Sequence, residues 1–370
     1  MDQRPVEAPV SHYLYGIASE KRVPISGTFE LTPLCNVDCK MGYVKLSRAQ
    51  QEALGPLRTA ADWTALAKSC ADAGLVYLLI TGGEPLTHPE FQEILEGLAP
   101  LGFLMSINTN GTLIDENKAA LLRDCGVLRA NVSLYGMSRD AYARLCGDGD
   151  CFEKAMAGIR NLLAVGIRVK LSFSLTPQNA DQLPLVAAFA EQEGLVLQVA
   201  SYLFPPLRRD PTQAGAGNRF PPKQAAYHAA YADLLTLGKE RFLSFDATGF
   251  APPEEDDCTA APDGIRCRAG KCSFWITWQG VLTPCGMFPT EGWENAMETT
   301  FPDAWERVVR RVEEIRLPAK CAVCDIRNTC RACAAMVLTE SGSFHRAPQY
   351  RCEMMEAYPE GWKRIKEKYL

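Results

Sequence analysis

The sequence predicts an α/β fold in which a partial (β/α)6 TIM-like barrel is followed by a cysteine-rich C-terminal domain. Short β-rich runs alternate with amphipathic helical patterns from residue 27 to about residue 201, which is typical of parallel strands joined by crossover helices. The chain then changes character at residues 204–221, which are rich in Pro, Gly and Ala. Nine of the 15 cysteines lie at or after Cys258. These observations indicate two globular units in a chain of 370 residues.

Six runs have the composition of strands, and they lie at residues 28–34, 75–81, 103–108, 129–135, 168–175 and 195–201. Six strand-helix units fit an incomplete barrel better than a closed eight-unit barrel, because the chain changes character before two more units could follow. The predicted segments are an N-terminal extension (1–26), the barrel (27–207), a connector with a helix near 222–240 (208–262) and the cysteine-rich domain (263–370).

The helix between the first two strands shows how the local signals agree. Thr59 can cap its first turn, since Asp62 follows three residues later. Gly74 can end the helix. The apolar stripe consists of Trp63, Leu66, Ala67 and Cys70.

Charge and hydropathy exclude two classes of partner. The formal net charge is -5 and no stretch is rich in Lys and Arg, so we expect no nucleic acid partner. The chain has neither a run of 18 apolar residues nor a signal-peptide pattern at its N-terminus, so we expect a cytoplasmic protein without a membrane span. Thiols stay reduced in that compartment, and the cysteines therefore indicate metal rather than disulfides.

The first cysteine motif follows the first predicted strand. Residues 35–42 read CNVDCKMG, which resembles the C-x3-C-x2-C signature of the radical S-adenosylmethionine (radical SAM) superfamily with Gly42 in the third cysteine position. The resemblance implies that Cys35 and Cys39 hold a catalytic [4Fe-4S] cluster, which binds S-adenosyl-L-methionine and splits it to a 5'-deoxyadenosyl radical. Glycine has no side chain to offer, so ligation of this cluster is incomplete.

Three further strand ends carry residues that resemble the same superfamily. Gly82 and Gly83 let the backbone approach a ligand closely. The acceptor-rich edge beside Glu84 can receive the ammonium protons of the amino acid part of S-adenosylmethionine. In the family, a Ser and an Arg at the matching positions bind the ribose and the carboxylate of S-adenosylmethionine, while Tyr135 stands where the family usually has Asp. Taken singly, each of these residues is explained more readily as part of a turn or of a solvated helix face. The resemblance assigns cofactor binding to Gly82, Gly83, Glu84, Pro85, Asn110, Ser133 and Arg144.

The C-terminal cysteines form the most specific pattern. Their spacing, with Gly280 five residues before Cys285, resembles the SPASM arrangement, apart from a Cys330-x2-Cys333 spacing that is one residue short. The resemblance implies two auxiliary [4Fe-4S] clusters. Cys267, Cys272, Cys285 and Cys333 would hold one, and Cys321, Cys324, Cys330 and Cys352 would hold the other.

Structural zinc is the alternative for this region, because C-x2-C pairs also build zinc ribbons. A ribbon would leave the Gly-x4-Cys element and Cys352 without a role. The other cysteines are predicted to be small buried hydrophobes, and they are Cys70, Cys125, Cys146, Cys151 and Cys258. Cys258 lies on a loose segment beside the cluster domain, where a thiol could also reach an iron or a substrate radical.

Most known members of the radical SAM/SPASM group modify peptides or proteins, so the resemblance implies a peptide or protein substrate and a reductant such as flavodoxin or ferredoxin. Sulfatase maturation is disfavoured because Gly286, not Asp, follows Cys285. The residues before Gly27 are too few for a leader-recognition domain. Two alternatives remain: a non-catalytic iron-sulfur protein for electron transfer or partner binding, and a zinc-stabilised peptide-binding module.

Overall fold

The sheet at the centre of the protein has eight strands in the order β6-β5-β4-β3-β2-β1-β7-β8. The computed structural model describes residues 9–42, 44–205, 218–245 and 263–370. Neighbouring strands are parallel from β6 through β7, and β8 is antiparallel to β7. The strands are β1 Ser26–Glu30, β2 Tyr77–Thr81, β3 Leu104–Thr109, β4 Val127–Ser133, β5 Arg168–Ser174, β6 Val196–Ala200, β7 Ser273–Ile276 and β8 Leu282–Thr283.

Helices connect these strands and build the C-terminal region. Within the described ranges the α-helices are α1 Pro9–Lys21, α2 Arg48–Leu54, α3 Ala60–Asp72, α4 Phe91–Leu98, α5 Glu116–Asp124, α6 Arg139–Cys146, α7 Cys151–Ala164, α8 Leu183–Gln192, α9 Pro222–Leu237, α10 Lys239–Leu243, α11 Phe301–Glu314, α12 Ala319–Ala322, α13 Arg327–Cys330, α14 Ala334–Ser341 and α15 Gln349–Tyr369. Short 3-10 helices lie at Pro85–Thr87, Ala99–Leu101 and Ala180–Gln182. None of the helices in these ranges combines the length and the apolar character that crossing a bilayer requires.

The predicted α/β fold with a partial barrel is confirmed, and each of the six predicted strands overlaps one of β1 to β6. The predicted helix start is also confirmed. The Thr59 side chain accepts a hydrogen bond from the Asp62 backbone N–H, and the Asp62 carboxylate accepts one from the Thr59 N–H, which is a complete capping box. Gly74 follows the helix with a φ of +104°, which favours glycine.

Strand β7 is not among the strands that the sequence predicts. Its four residues pair in parallel with β1, from Ser26 opposite Ser273 to Phe29 opposite Ile276. The C-terminal region therefore supplies a strand to the same sheet as the barrel. A further link is the indole N–H of Trp275, which donates to the buried carboxylate of Glu30 at 3.0 Å.

Alternate residues of the barrel strands face opposite sides of the sheet, as strand geometry requires. One set packs in the main core with the helices and includes Leu78, Ile80, Ile107, Val132 and Leu171. The other set faces the concave side of the barrel and is largely polar. In that set Asn131 donates to Asn108 at 2.7 Å, and Lys170 donates to Gln198 at 2.6 Å.

The helix of the connector packs along the last helix of the chain. α9 lies against α15, and Gly361 permits the close approach, since a Cβ there would lie 3.0 Å from the Tyr227 Cα. The Tyr358 hydroxyl donates to the Asp233 carboxylate across this contact. The connector helix is thereby fixed to the C-terminal region.

Candidate active site

The loop that carries the first cysteines is held by backbone hydrogen bonds to the Gly-Gly-Glu segment after β2. Gly83 N–H donates to Thr32 O at 2.7 Å, and Glu84 N–H donates to Leu34 O at 2.8 Å. A Cβ at Gly83 would lie 2.4 Å from the Leu34 carbonyl oxygen. In the structure Gly83 lets two segments of the chain meet directly before Cys35, and the predicted approach of these glycines to a ligand stays a prediction.

Glu84 joins the end of β2 to the end of β3. Its side chain is fully buried and accepts hydrogen bonds from the Thr109 hydroxyl at 2.9 and 3.1 Å and from the Asn110 N–H at 2.7 Å. Burial raises the pKa of this carboxyl group to about 7, although the hydrogen bonds from Asn110 and Thr109 oppose the shift. Pro85, also buried, starts the short helix that follows.

Asn110 orients the first cysteine. Its Nδ2 donates to Asn36 Oδ1 at 2.9 Å and lies 3.7 Å from Cys35 Sγ, and its Oδ1 accepts from Thr112 N–H at 2.9 Å. Burial raises the pKa of the Cys35 thiol to about 12. A bound iron reverses this preference, because a coordinating thiol is deprotonated.

The second cysteine lies against the thiol of Cys146, which the sequence predicts to be a small buried hydrophobe. Cys39 Sγ is 3.5 Å from Cys146 Sγ, at the end of α6. Lys40 N–H donates to Leu145 O at 3.0 Å, which fixes the loop to that helix end. Gly42 N–H donates back to Cys39 O at 3.1 Å. No sequence signal marked this contact, since the two cysteines are 107 residues apart.

Ser133 and Arg144 lie at the same edge of the barrel as the cysteine loop, since Ser133 ends β4 and Arg144 is in α6. The Ser133 hydroxyl bonds to the Tyr135 phenol. Arg144 donates to the Asp181 carboxylate at 3.1 and 3.2 Å and to Gln178 O at 3.2 Å. About half of each side chain of the Arg144–Asp181 pair is exposed, so the arginine could exchange this partner for another carboxylate.

Six C-terminal cysteines line one cavity of about 260 Å³, and they are Cys267, Cys321, Cys324, Cys330, Cys333 and Cys352. Cys285 is close by, since Cys267 and Cys333 both act electrostatically on it, and burial raises its pKa to about 12. Cys321 and Cys352 each interact with Cys324 and Cys330. The structure thus brings seven of the eight predicted ligand thiols into one region, with one difference from the prediction, and the division into two ligand sets stays a prediction.

The difference is Cys272, which the structure places away from the other three members of its predicted set. It is fully buried in a small separate core with Ala18 and Ile25, and its Sγ lies 3.0 Å from Ser19 Oγ. Cys258 lies outside the described residues. Within the described part of the chain, no three His, Cys, Asp or Glu side chains converge closely enough to hold a single metal ion. Thiols spread around a cavity fit the larger core of an iron-sulfur cluster.

The concave face of the barrel carries two cations near one another. Lys170 and Arg129 interact. Burial and, to a smaller extent, the positive charge of Arg129 lower the pKa of the Lys170 ammonium group. The side chain of Lys170 bonds to Gln198, and no carboxylate of the described residues pairs with either cation. Two half-buried like charges favour an anionic group between them.

Comparison with known proteins agrees with this architecture. Residues 29–190 match the radical SAM superfamily. The AdoMet-dependent heme synthase of Oleidesulfovibrio alaskensis is 26% identical over 348 residues, covering 88% of this chain and 86% of that protein. Streptococcus suis SuiB bound to its precursor peptide SuiA has a TM-score of 0.68 at 17% identity, covering 90% of this chain and 78% of that one. The enzyme anSMEcpe with bound AdoMet and a Cp18Cys peptide has a TM-score of 0.66 at 16% identity, covering 92% of this chain and 98% of that one, and these two likenesses show a shared fold.

Proposed function

We propose that this chain, whose residues 29–190 match the radical SAM superfamily, cleaves S-adenosylmethionine reductively to modify a peptide or protein. The observation that carries the proposal is the position of Cys35, which Asn110 and the Gly83–Glu84 segment fix at the carboxyl end of β1. Functional groups of parallel barrels collect at this end of the strands. When bound, a [4Fe-4S] cluster supplies the electron that splits the sulfonium and yields the 5'-deoxyadenosyl radical.

The residues of the barrel have distinct proposed tasks. Cys35 and Cys39 hold the catalytic cluster. Gly82, Gly83, Glu84 and Pro85 shape the edge that receives the amino group of S-adenosylmethionine. Ser133 contacts the ribose, and Arg144 binds the carboxylate after leaving Asp181.

The C-terminal thiols hold two auxiliary clusters in this proposal. Cys267, Cys285 and Cys333 ligate the first, and Cys272 joins them only if it leaves its bond to Ser19. Cys321, Cys324, Cys330 and Cys352 ligate the second. A flavodoxin or ferredoxin would deliver electrons, and partly exposed thiolate ligands suit such transfer, because solvent exposure is one of the factors that set a cluster's reduction potential.

The test is anaerobic reconstitution of the chain and of its Gly42→Cys variant, followed by assays for iron and 5'-deoxyadenosine after chemical reduction. We expect 5'-deoxyadenosine from at least the Gly42→Cys form, and more of it when the correct peptide is present. If neither form makes 5'-deoxyadenosine although both hold iron, the chain is an electron-transfer or binding protein instead. Zinc in place of iron and sulfide would support the peptide-binding module.

A tetrapyrrole is the second candidate substrate, favoured by the cations on the concave face. The positive charges of Arg129 and Lys170 suit carboxylate side chains such as those of iron coproporphyrin. The similarity to the heme synthase extends over 88% of this chain. Titration of the reconstituted protein with iron coproporphyrin should then shift the porphyrin absorbance, and Lys170→Gln should weaken binding about tenfold or more. An unchanged spectrum at millimolar porphyrin would leave the peptide as the substrate.

A further inference from the structure

We propose that Cys146 is a ligand of the catalytic cluster and supplies the thiolate that Gly42 does not provide. The inference deepens the proposed function and rests on it, because it concerns the same cluster. The structure places the thiols of Cys39 and Cys146 in contact at 3.5 Å, although α6 is remote in sequence from the cysteine loop. Cys35 also lies within electrostatic reach of Cys146. Cys146 is therefore in contact with one proposed cluster ligand and in the neighbourhood of the other.

The end of α6 is built to hold Cys146 in a fixed position. Cys146 is the last residue of the helix, and Gly147 follows with a φ of +77° and donates its N–H to Ala143 O. This is a common way to end a helix. The hydrogen bond from Lys40 N–H to Leu145 O then joins the helix end to the loop beside Cys39. The contact between the two thiols is thus supported by backbone on both sides.

Binding a cluster requires the two sulfurs to separate, because ligands of a [4Fe-4S] cluster stand at different corners of its core. Cys39 is partly exposed, so its side chain can rotate about the Cα–Cβ bond to separate the two sulfurs while the hydrogen bond from Lys40 N–H to Leu145 O holds the backbone in place. At 3.5 Å the sulfurs are also well beyond the length of a disulfide bond. In a reducing compartment both remain thiols that iron can bind.

A buried cysteine is ordinarily a small hydrophobe, so other buried thiols give a comparison. Cys70 is fully buried in α3, and burial alone raises the pKa of its thiol. Cys151 begins α7 near Cys146, but its thiol donates to the Asp148 carboxylate at 3.5 Å. Cys146 differs from both because its thiol contacts a proposed cluster ligand. Cys151→Ser is therefore a matched control for Cys146→Ser.

The experiment compares iron and sulfide per chain after anaerobic reconstitution of the full chain and its Cys35→Ser, Cys146→Ser and Cys151→Ser variants. We expect Cys35→Ser and Cys146→Ser each to lose about four irons, and Cys151→Ser to lose none. The electron paramagnetic resonance signal that changes on adding S-adenosylmethionine should disappear with the same variants. Iron and signal unchanged in Cys146→Ser would overturn the inference, as would iron unchanged in Cys35→Ser.

The double variant Gly42→Cys/Cys146→Ser separates misfolding from ligand loss. A third cysteine on the loop replaces the thiol from α6, so this variant should recover the lost irons and the response to S-adenosylmethionine. Recovery shows that the fold tolerates the Cys146→Ser change. Suppose that the double variant cleaves S-adenosylmethionine and that the Cys146→Ser variant retains as much iron as the unchanged chain. This inference then fails, and the proposed function stands. If the double variant remains short of iron, Cys146 acts in folding and the inference fails.

Discussion

The Asn110 backbone N–H donates a 2.7 Å hydrogen bond to Glu84 Oε2, so a buried carboxylate ties the end of β3 to the end of β2. The Glu84 N–H in turn donates to Leu34 O directly before the first cysteine. One residue therefore connects three strand ends. We expect changes in this segment to act on the cysteine loop as well as on cofactor binding.

Replacing Gly83 with Ala tests the close approach of the two segments. The new Cβ would lie 2.4 Å from a backbone oxygen, which cannot move as a flexible side chain can. We expect a destabilisation of about 1–3 kcal/mol in urea unfolding, with loss of iron from the barrel site. Gly16→Ala is the control, since nothing lies within 4 Å of its Cβ in helix α1. That change should stabilise by about 0.5–1 kcal/mol, and equal effects of the two changes would refute the argument.

The raised pKa of Glu84 predicts a pH dependence of stability. Its pKa is about 7 in the folded state and 4.5 as the ordinary value, so the folded state binds the proton more tightly between these values. Stability must then fall as pH rises through this window, by about 3 kcal/mol in total, because each pKa unit corresponds to about 1.4 kcal/mol.

Glu84→Gln removes this pH-dependent contribution to stability, because the amide does not titrate. We expect the free energy of unfolding of the variant, relative to the unchanged chain, to improve steadily from pH 5 to pH 7.5. Weaker hydrogen bonds from Thr109 and Asn110 to the amide lower the free energy of unfolding by an amount that does not vary with pH. Parallel pH profiles of the two proteins would show that Glu84 does not titrate in this range.

The position of Cys272 predicts an asymmetry within the first auxiliary set. Its thiol bonds to Ser19, whereas Cys285 interacts with Cys267 and Cys333. We expect Cys285→Ser to lose about four irons and Cys272→Ser to lose few or none, as measured by iron and sulfide per chain. Equal losses would show that Cys272 turns away from Ser19 and binds the cluster.

Glu340 connects the barrel, the connector and the C-terminal region. Only 6% of its side chain is exposed, and it accepts hydrogen bonds from Tyr202 at 2.5 Å and from Arg219 at 2.5 and 3.1 Å. Glu340→Ala leaves a partly buried guanidinium without its partner, so we expect a loss of about 3–5 kcal/mol in urea unfolding. The exposed Arg22–Glu313 pair is the control, and Glu313→Ala should cost less than about 1 kcal/mol. Similar losses would mean that burial is not decisive here.

Local signals were the part of the fold that the sequence could predict. The six strands and the capping box of Thr59 and Asp62 depend on residues close in sequence, and all were found. The first strand ends at Glu30 rather than at residue 34, because residues 31–34 bond instead to the segment after β2.

Contacts between distant segments were beyond sequence analysis. Four residues are too few to show strand periodicity, so β7 was missed although it pairs along β1. The spacing of the cysteines predicts two ligand sets, which stays a prediction, and spacing does not determine the side on which the Cys272 thiol points. The contact of Cys39 with Cys146 depends on how α6 packs, and neither motif nor period encodes it.

The pairing of β7 with β1 has a consequence for how such a chain can be divided. A fragment that stops before residue 263 would leave β1 as an open edge, with a row of unpaired backbone groups that invites aggregation. The cysteine-rich region thus completes the sheet of the barrel, and neither half is a freely exchangeable module. A successful chimera would need to bring a replacement for β7 together with its new C-terminal region.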